Sequence, residues 1–568
     1  MNKSEFEIYK LLITGRYTQR ELSELTGFSL GKVNQIIKNL DMKHSNIDNS
    51  NYLVKNAIIL AAGFGLRMIP INQTPKALLT IKKEVLIERL IHQLHEVGIK
   101  DITIVVGFMK EKFEYLIDKY NLKLLVNNEY YKDSNSKSLF LASHLIGNSY
   151  IVPGDLYFYE NPFSTLENDS WYMLSDEKSK RGFYYIDEKG FLIKGKNIFL
   201  NAVGLAYINN LDAKALVSNL RAVSSNEFSF WEDSLLDQKS FKIASKIIHK
   251  DCFFEINTYE QLRKIDQESE SLKNEHIDLI KECFHIDVKD IKNVSTLKKG
   301  MTNRSFLFEV AQDKYIMRIP GEGTDKLINR HQEHQVYAKV NPLKISDEII
   351  FFNPENGVKI TKFINQTQVC NPFDKEDLER CIPFLRKFHE KKIIVDHAFD
   401  LYSQIEYYEE LFNHQSLFKD YKEVKRNILK LRKIIEQFNA PHYLTHIDAV
   451  PDNFLIDPDG NIRLIDWEYA GMQDVHVDLA MFAIYAGYDK EYIDKIIDIY
   501  FCNECEENIR YKIYAYVAIC GLLWSNWCEY KRMLGVEFGE YALTQYRYAK
   551  VYSRMVLKYF GDDNNGKN

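Results

Sequence analysis

Between residues 56 and 152 short apolar runs alternate with amphipathic stretches, and this alternation limits the fold more than any other feature of the chain. Residues 57–62, 102–106, 123–126 and 150–152 are too short for helices and rich in β-branched and aliphatic side chains, so they read as strands. Residues 85–97, 110–119 and 138–145 between them read as helices. Strands linked through helices run parallel, because a crossover needs the length a hairpin lacks. The expected product is a mostly parallel, doubly wound α/β sheet, which binds ligands outside the carboxyl ends of its strands.

The first strand runs into Ala61-Ala62-Gly63-Phe64-Gly65-Leu66-Arg67, and Pro75-Lys76-Ala77-Leu78 follows. Small residues and two glycines let backbone N–H groups approach a triphosphate closely. Arg67 and Lys76 bring positive charge to phosphate oxygens. The plainer alternative is a glycine-rich turn flanked by solvated cations.

A second signature lies far downstream. His446-Ile447-Asp448-Ala449-Val450-Pro451-Asp452-Asn453 precedes Ile465-Asp466-Trp467-Glu468. An Asp, an Asn five residues on and a second Asp beyond a short β segment supply what phosphoryl transfer asks of a protein. Asp448 can orient or deprotonate an acceptor hydroxyl, and Asn453 and Asp466 can hold Mg²⁺ through hard oxygens. The competing reading is a loop aspartate capping a helix beside a solvated asparagine.

Residues 1–50 read as wholly helical. Thr18-Gln19-Arg20-Glu21 is a capping-box start, Thr26-Gly27-Phe28-Ser29 is a turn, and Val33, Ile36, Ile37 and Leu40 give a third helix its apolar face. Helix, short helix, glycine turn and helix resemble winged-helix DNA-binding domains. Seven Lys/Arg against six Asp/Glu leave this segment nearly neutral. DNA contact through Arg20, Lys32, Lys38, Ser29, Asn34 and Gln35 and a small three-helix docking domain are both open.

The chain of 568 residues carries 74 basic and 80 acidic side chains, net −6, which gives no bulk drive toward nucleic acid or anionic membrane. Its start lacks a signal-peptide core, and residues 513–524 are too short to span a bilayer, so a cytoplasmic protein without membrane contact is expected. Only Cys502 and Cys505 are spaced as a C-x-x-C pair, and reduced thiols fit better than zinc. The expected domains are residues 1–50, 56–266 and 276–560, with the polar run 266–275 as a linker. The last domain is expected to start β-rich over 295–319 and continue mostly helical, an α+β protein-kinase-like fold.

Residues 56–266 resemble bacterial CTP:phosphocholine cytidylyltransferases, through the glycine loop, Val105-Val106-Gly107-Phe108, Asn127-Asn128, Ser138-Leu139-Phe140-Leu141 and Phe230-Trp231-Glu232-Asp233. The resemblance implies nucleotide binding by Ala62, Gly63, Gly65, Arg67 and Ser138, with Lys76 steadying the attacking phosphate. It implies metal ligation by Asp155 of Val152-Pro153-Gly154-Asp155 and, in the late run Phe253-Phe254-Glu255-Ile256-Asn257, by Asn257 where the family has an acid. Leu66 stands where the family has threonine, which removes a hydroxyl and no charge. Phe183, Tyr184, Tyr185 and Phe254 are candidates for an aromatic choline pocket, and each fits a core equally well.

Residues 280–555 resemble bacterial choline kinases of the aminoglycoside-phosphotransferase-like superfamily, through Lys299-Gly300-Met301-Thr302-Asn303-Arg304, Tyr315-Ile316-Met317-Arg318 and Gly321-Glu322-Gly323-Thr324. This implies nucleotide contacts from Thr302, Asn303 and Arg318, with Glu333 pairing the arginine. Choline offers no N–H group, so its receptor needs aromatic faces, and Trp467, Tyr469, Trp524 and Trp527 are the candidates. Many choline kinases also carry an acid after the Asp-Leu-Ala run; here Asp478-Leu479-Ala480 is followed by none as far as Tyr485. The expected protein is a bifunctional enzyme using choline, ATP, CTP, phosphocholine and Mg²⁺. Ethanolamine or aminoethylphosphonate as substrate, and a DNA-binding regulator that senses choline or nucleotide, are the rivals.

Overall fold

The computed structural model describes residues 2–15, 17–43, 52–63, 74–130, 135–179, 184–194, 199–225, 229–236, 242–297, 303–321, 324, 327–536 and 538–562. Gly65, Arg67, Thr302 and Phe183 lie outside the described residues. The chain forms two compact units, Met1–Val288 with Val294–Thr296, and Lys289–Asn293 with Leu297–Asn568.

The first unit is built on a seven-stranded sheet. Lys123–Val126, Asp101–Val106, Asn56–Ala61 and Ser149–Pro153 lie side by side and parallel, with Ala57 facing Ile102 on one side and Tyr150 on the other. Phe199–Ile208 continues the sheet antiparallel, followed by Trp171–Ser179 and Ala244–Ile248. Alternate residues enter two different cores: Ala57, Ile59, Ile104 and Val152 one, Ile58, Val105 and Ile151 the other. Burial on both faces explains why these strands are continuously apolar instead of alternating. The helix Leu86–Glu96 closes one face with Ile87, Leu90, Ile91 and Leu94.

Three helices, Lys3–Thr14, Gln19–Thr26 and Leu30–Lys43, precede the sheet. Thr18 and Glu21 form the expected capping box, and Gly27 ends the second helix at φ 69°, a left-handed turn that suits glycine. Ile8, Tyr9, Leu22, Val33, Ile36 and Leu40 form a small core that also takes in Leu166 from the sheet domain, and Phe6 stands 5.6 Å from the Tyr52 ring. The first helix thus docks the module, while Ser29, Lys32, Gln35 and Lys38 of the turn and third helix stay exposed.

The expected linker 266–275 is instead part of the first unit. The Ser269 hydroxyl donates to the Thr80 carbonyl, Thr80 N–H donates to Ser271 at 2.8 Å, and Lys82 N–H donates to Asp266 at 2.6 Å. Leu272 is buried, and the helix Glu275–Phe284 that follows buries Ile277 and Ile280. A polar run reads as a linker, but here its polar atoms satisfy the edge of the hairpin Thr80–Ile81/Glu84–Val85.

In the second unit, Asn303–Val310, Asp313–Pro320, Lys359–Lys362 and Ile349–Phe352 form an antiparallel sheet, with the helix Arg330–Val340 beside it. The remainder is mostly helical, and its core is threaded by Glu507–Met533, buried from Lys512 to Lys531. Two small ladders interrupt the helices: Tyr443–Thr445 pairs with Gly471–Gln473, and Phe454–Ile456 pairs with Ile462–Leu464. They hold the segments 446–453 and 465–470 next to each other. All eight cysteines are free, and no described helix is long and apolar enough to cross a membrane.

Candidate active sites

The first candidate site lies at the carboxyl ends of the parallel strands. After Ser149–Pro153, Gly154 donates its N–H to the Leu60 carbonyl at 2.9 Å. A Cβ there would lie 3.0 Å from that oxygen and 3.3 Å from Ala77 Cβ, so glycine lets the turn Lys76–Leu78 approach. Lys76 Nζ donates to Asn257 Oδ1 at 2.6 Å and stands 3.6 Å from Asp155 Oδ2. Asn257 reaches this point because Phe253–Glu255 pairs antiparallel with Leu156–Phe158, and Ile256 N–H bonds the Asp155 carbonyl. Lys76, Asp155 and Asn257, distant in sequence, therefore form one cluster. Ala62 faces Gly107 and accepts from Phe108 N–H at 3.3 Å, and Gly63 is exposed at the strand end. Ser138 is buried; its hydroxyl accepts from Asn127 Nδ2 and braces the turn after Lys123–Val126.

Sequence reasoning gave Glu232 no role, although it quoted the run that contains it. Asn135 accepts from Trp231 N–H at 2.8 Å and leans its own amide toward Glu232 at 3.5 Å. Burial, with Asp233 and Glu255 adding their charge, pushes the Glu232 carboxyl up to about 7. Of the candidate aromatic pocket residues, Tyr185 is exposed and Phe254 packs on Tyr159 at 5.1 Å.

The second cleft is a cavity of about 510 Å³ bordered by Asn303, Arg318, Asp448, Asn453, Asp466 and Tyr469, with Trp524 and Trp527 among its further walls. Asn453 Nδ2 donates to the Asp448 backbone carbonyl at 2.8 Å and to its carboxylate at 3.2 Å. The loop is held under strain. Ile447, β-branched, sits at φ 69°, and Asp466 at φ 68°. The buried Asp478 carboxylate fixes this by accepting from His446 N–H at 3.0 Å and Ile447 N–H at 2.7 Å, with His389 Nε2 a further 2.9 Å away. Burial first, then the nearby Asp466 and Glu468 charges, hold the Asp448 carboxyl well above the usual carboxylate range.

Arg318 meets Glu333 at 2.5 Å, Asp466 at 3.3 Å and Glu468 at 3.4 Å. Burial opposes charge on Glu333, but Arg318, Lys359 and Arg330 outweigh it and hold the carboxyl down at about 2. Glu468, another residue quoted without a role, also accepts from Asn303 at 2.9 Å and Arg330 at 3.2 Å. Arg330 and Lys359 complete this buried charge network, and of the two Lys359 carried no sequence signal beyond being cationic.

Trp467 is a correction. It is fully buried away from the cavity, its indole N–H donating to the Leu464 carbonyl at 2.7 Å and its ring 4.4 Å from His446 and 5.1 Å from Phe388. Tyr469, Trp524 and Trp527 do come together, with ring centroids 5.5 and 5.6 Å apart.

Both sites carry oxygen donors of the kind a divalent metal takes. Among the described residues no group of three or more His, Cys, Asp or Glu side chains is placed to hold a metal ion. Mg²⁺ commonly takes one or two carboxylates and completes its shell with phosphate and water, so Asp155 with Asn257, and Asp466 with Asn453, are suitable donor sets. The Lys76 ammonium bridging Asp155 and Asn257 marks the first as a place that attracts positive charge. The crowding of Asp448, Asp466 and Glu468 marks the second.

Three family models match the chain: "Winged helix-turn-helix DNA-binding" over residues 1–42, "MobA-like NTP transferase domain" over 57–163 and "Choline/ethanolamine kinase" over 294–518. A choline-phosphate cytidylyltransferase of Streptococcus pneumoniae is 31% identical over 230 residues, 39% of this chain and 99% of the relative. A 2-aminoethylphosphonate cytidylyltransferase of Lancefieldella rimae is 32% identical over 33% of this chain and 81% of its own. A crystal structure of the choline kinase LicA from Streptococcus pneumoniae covers 49% of this chain and 98% of that one, at 27% identity and TM-score 0.44.

Proposed function

The chain belongs to the choline-phosphate cytidylyltransferase family and joins to it a choline kinase domain, and on that premise we propose that the two enzymes act in sequence on one head group. The kinase phosphorylates choline with ATP. The transferase then joins phosphocholine to the CMP moiety of CTP, giving CDP-choline and pyrophosphate.

In the kinase, Asp448 takes the hydroxyl proton as the choline oxygen attacks the γ-phosphorus of ATP and the bond to the β-phosphate oxygen breaks to release ADP, while Asn453 holds the aspartate in place. Arg318, fixed by Glu333, offers its remaining N–H groups to the nucleotide phosphates. In the transferase, a phosphocholine oxygen attacks the α-phosphorus of CTP and pyrophosphate leaves. Lys76 steadies the attacking phosphate, and no general base is required because that phosphate is already ionised. Asp155 with Asn257, and Asp466 with Asn453, would hold Mg²⁺, which would neutralise charge on the phosphates.

The observation that carries the choline reading is the aromatic wall of Tyr469, Trp524 and Trp527 on the cavity that also holds Asp448. Asp448→Ala is expected to abolish ADP formation from choline and ATP and to spare pyrophosphate release from CTP and supplied phosphocholine. Asp155→Ala is expected to do the reverse. Loss of both reactions from either substitution, in folded protein, would rule out independent sites. The 2-aminoethylphosphonate relative favours a second reading of the transferase acceptor, and turnover measured with both acceptors separates the two. The exposed Ser29, Lys32, Gln35 and Lys38 support DNA contact by residues 1–50. Dependence on ATP and CTP supports work in the cytoplasm.

A further inference from the structure

The aromatic wall of the kinase cavity continues beyond the two tryptophans. Trp527 stands 5.0 Å from Phe538, Phe538 6.4 Å from Tyr541, and Tyr541 6.2 Å from Tyr485. Tyr541 and Tyr485 both border the cavity. Tyr485 ends the helix Val477–Tyr485, the element that lacks an acid after Asp478-Leu479-Ala480.

Five carboxylates border the same cavity: Asp347, Asp448, Asp452, Asp466 and Glu468. Asp448 and Asp466 serve the reaction proposed above. Glu468 is held by Asn303, Arg318 and Arg330. Asp347 accepts from the Tyr337 hydroxyl at 3.2 Å and lies 4.0 Å from Lys359. Of the three carboxylates the reaction does not use, Asp452 is the one with no cation partner in the described structure, and its Oδ2 accepts from the Tyr485 hydroxyl at 2.7 Å. Burial and the Asp452 charge keep the phenol protonated well past its ordinary range, so Tyr485 is a donor at neutral pH.

We propose that Tyr485 is the residue that sets head-group selectivity in the kinase, by engaging Asp452 and so denying the cavity an acceptor for substrate N–H groups. The inference rests on the kinase reading above. A trimethylammonium head has no N–H to satisfy and is held by ring faces and the diffuse negative potential behind them. A primary ammonium enters by giving up hydrogen bonds to water and must find acceptors in exchange. Tyr485 occupies Oδ2 of Asp452 and presents its ring beside Tyr541.

The test is steady-state kinetics of the full chain with choline and with ethanolamine. Tyr485→Phe returns an oxygen of Asp452 to the cavity, and the ethanolamine-to-choline ratio of kcat/KM is expected to rise about tenfold. In Tyr485→Phe/Asp452→Ala, which removes the acceptor itself, that rise is expected to vanish. A merely structural Tyr485 lowers both kcat/KM values together; an unmoved ratio, or a rise that survives in the double variant, overturns the proposal. Wild-type protein that phosphorylates neither amine overturns the kinase reading itself. Choline turnover with a fixed ratio overturns the selectivity role alone.

Discussion

Glu232 stands in the transferase domain with its carboxyl pushed up to about 7 by burial, from an ordinary 4.5. The folded state therefore holds the proton more tightly than the unfolded chain. Its contribution to stability is complete below pH 4.5 and is lost as pH rises through 7. Glu232→Gln keeps the shape and removes the charge, so it is expected to stabilise the transferase unit at pH 8 by about 1–3 kcal/mol and to have little effect near pH 4.5. Thermal melts of both proteins across that range check this, and a gain independent of pH would contradict it. No spacing rule points to such a residue, because its environment is made by Asn135 and Glu255, which are remote in sequence. Asp448, Asn453 and Asp466 were legible because one short loop and one short ladder fix their mutual positions. Trp467 was misread for a related reason: with Asp466 at φ 68° the chain turns, so Asp466 and Tyr469 reach the cavity while Trp467 faces Phe388 and His446.

The long helix Glu507–Met533 carries both box tryptophans and packs along Glu540–Asp562. Gly521 sits where they come closest: a Cβ there would lie 2.7 Å from the Gln545 carbonyl and 2.9 Å from Ala549 N. Both are backbone atoms and cannot swing aside, so Gly521→Ala is expected to cost about 1–3 kcal/mol. Because Trp524 follows within one turn, KM for choline is expected to rise as well. Calorimetry and choline kinetics together test this, and a fully stable variant would show that the helices separate freely. The helix was legible from the short, interrupted apolar run 513–524, whereas its packing partner was not, since which helix lies against Gly521 is a matter of tertiary topology. Strands in the first unit were legible for the opposite reason: burial on two faces left a pattern no surface element has.

At the scale of the whole chain, the two compact units meet in sequence between Val288 and Leu297, well beyond the polar run 266–275. A chain ending at Thr296 is expected to melt cooperatively and keep CTP-dependent pyrophosphate release. One ending at Asp266 loses the buried Leu272, Ile277 and Ile280, worth roughly 5 kcal/mol at ordinary transfer values. Comparable melting of the two shortened proteins would refute this. Composition pointed to residues 266–275 because charged and hydroxyl side chains usually seek water, yet Ser269, Ser271 and Asp266 spend theirs on the Thr80–Ile81 hairpin. That ribbon of hydroxyls therefore constrains anyone wishing to splice a different phosphotransferase onto this transferase. The graft has fewer than ten residues in which to be made, for everything upstream is already a fitted plank of its neighbour.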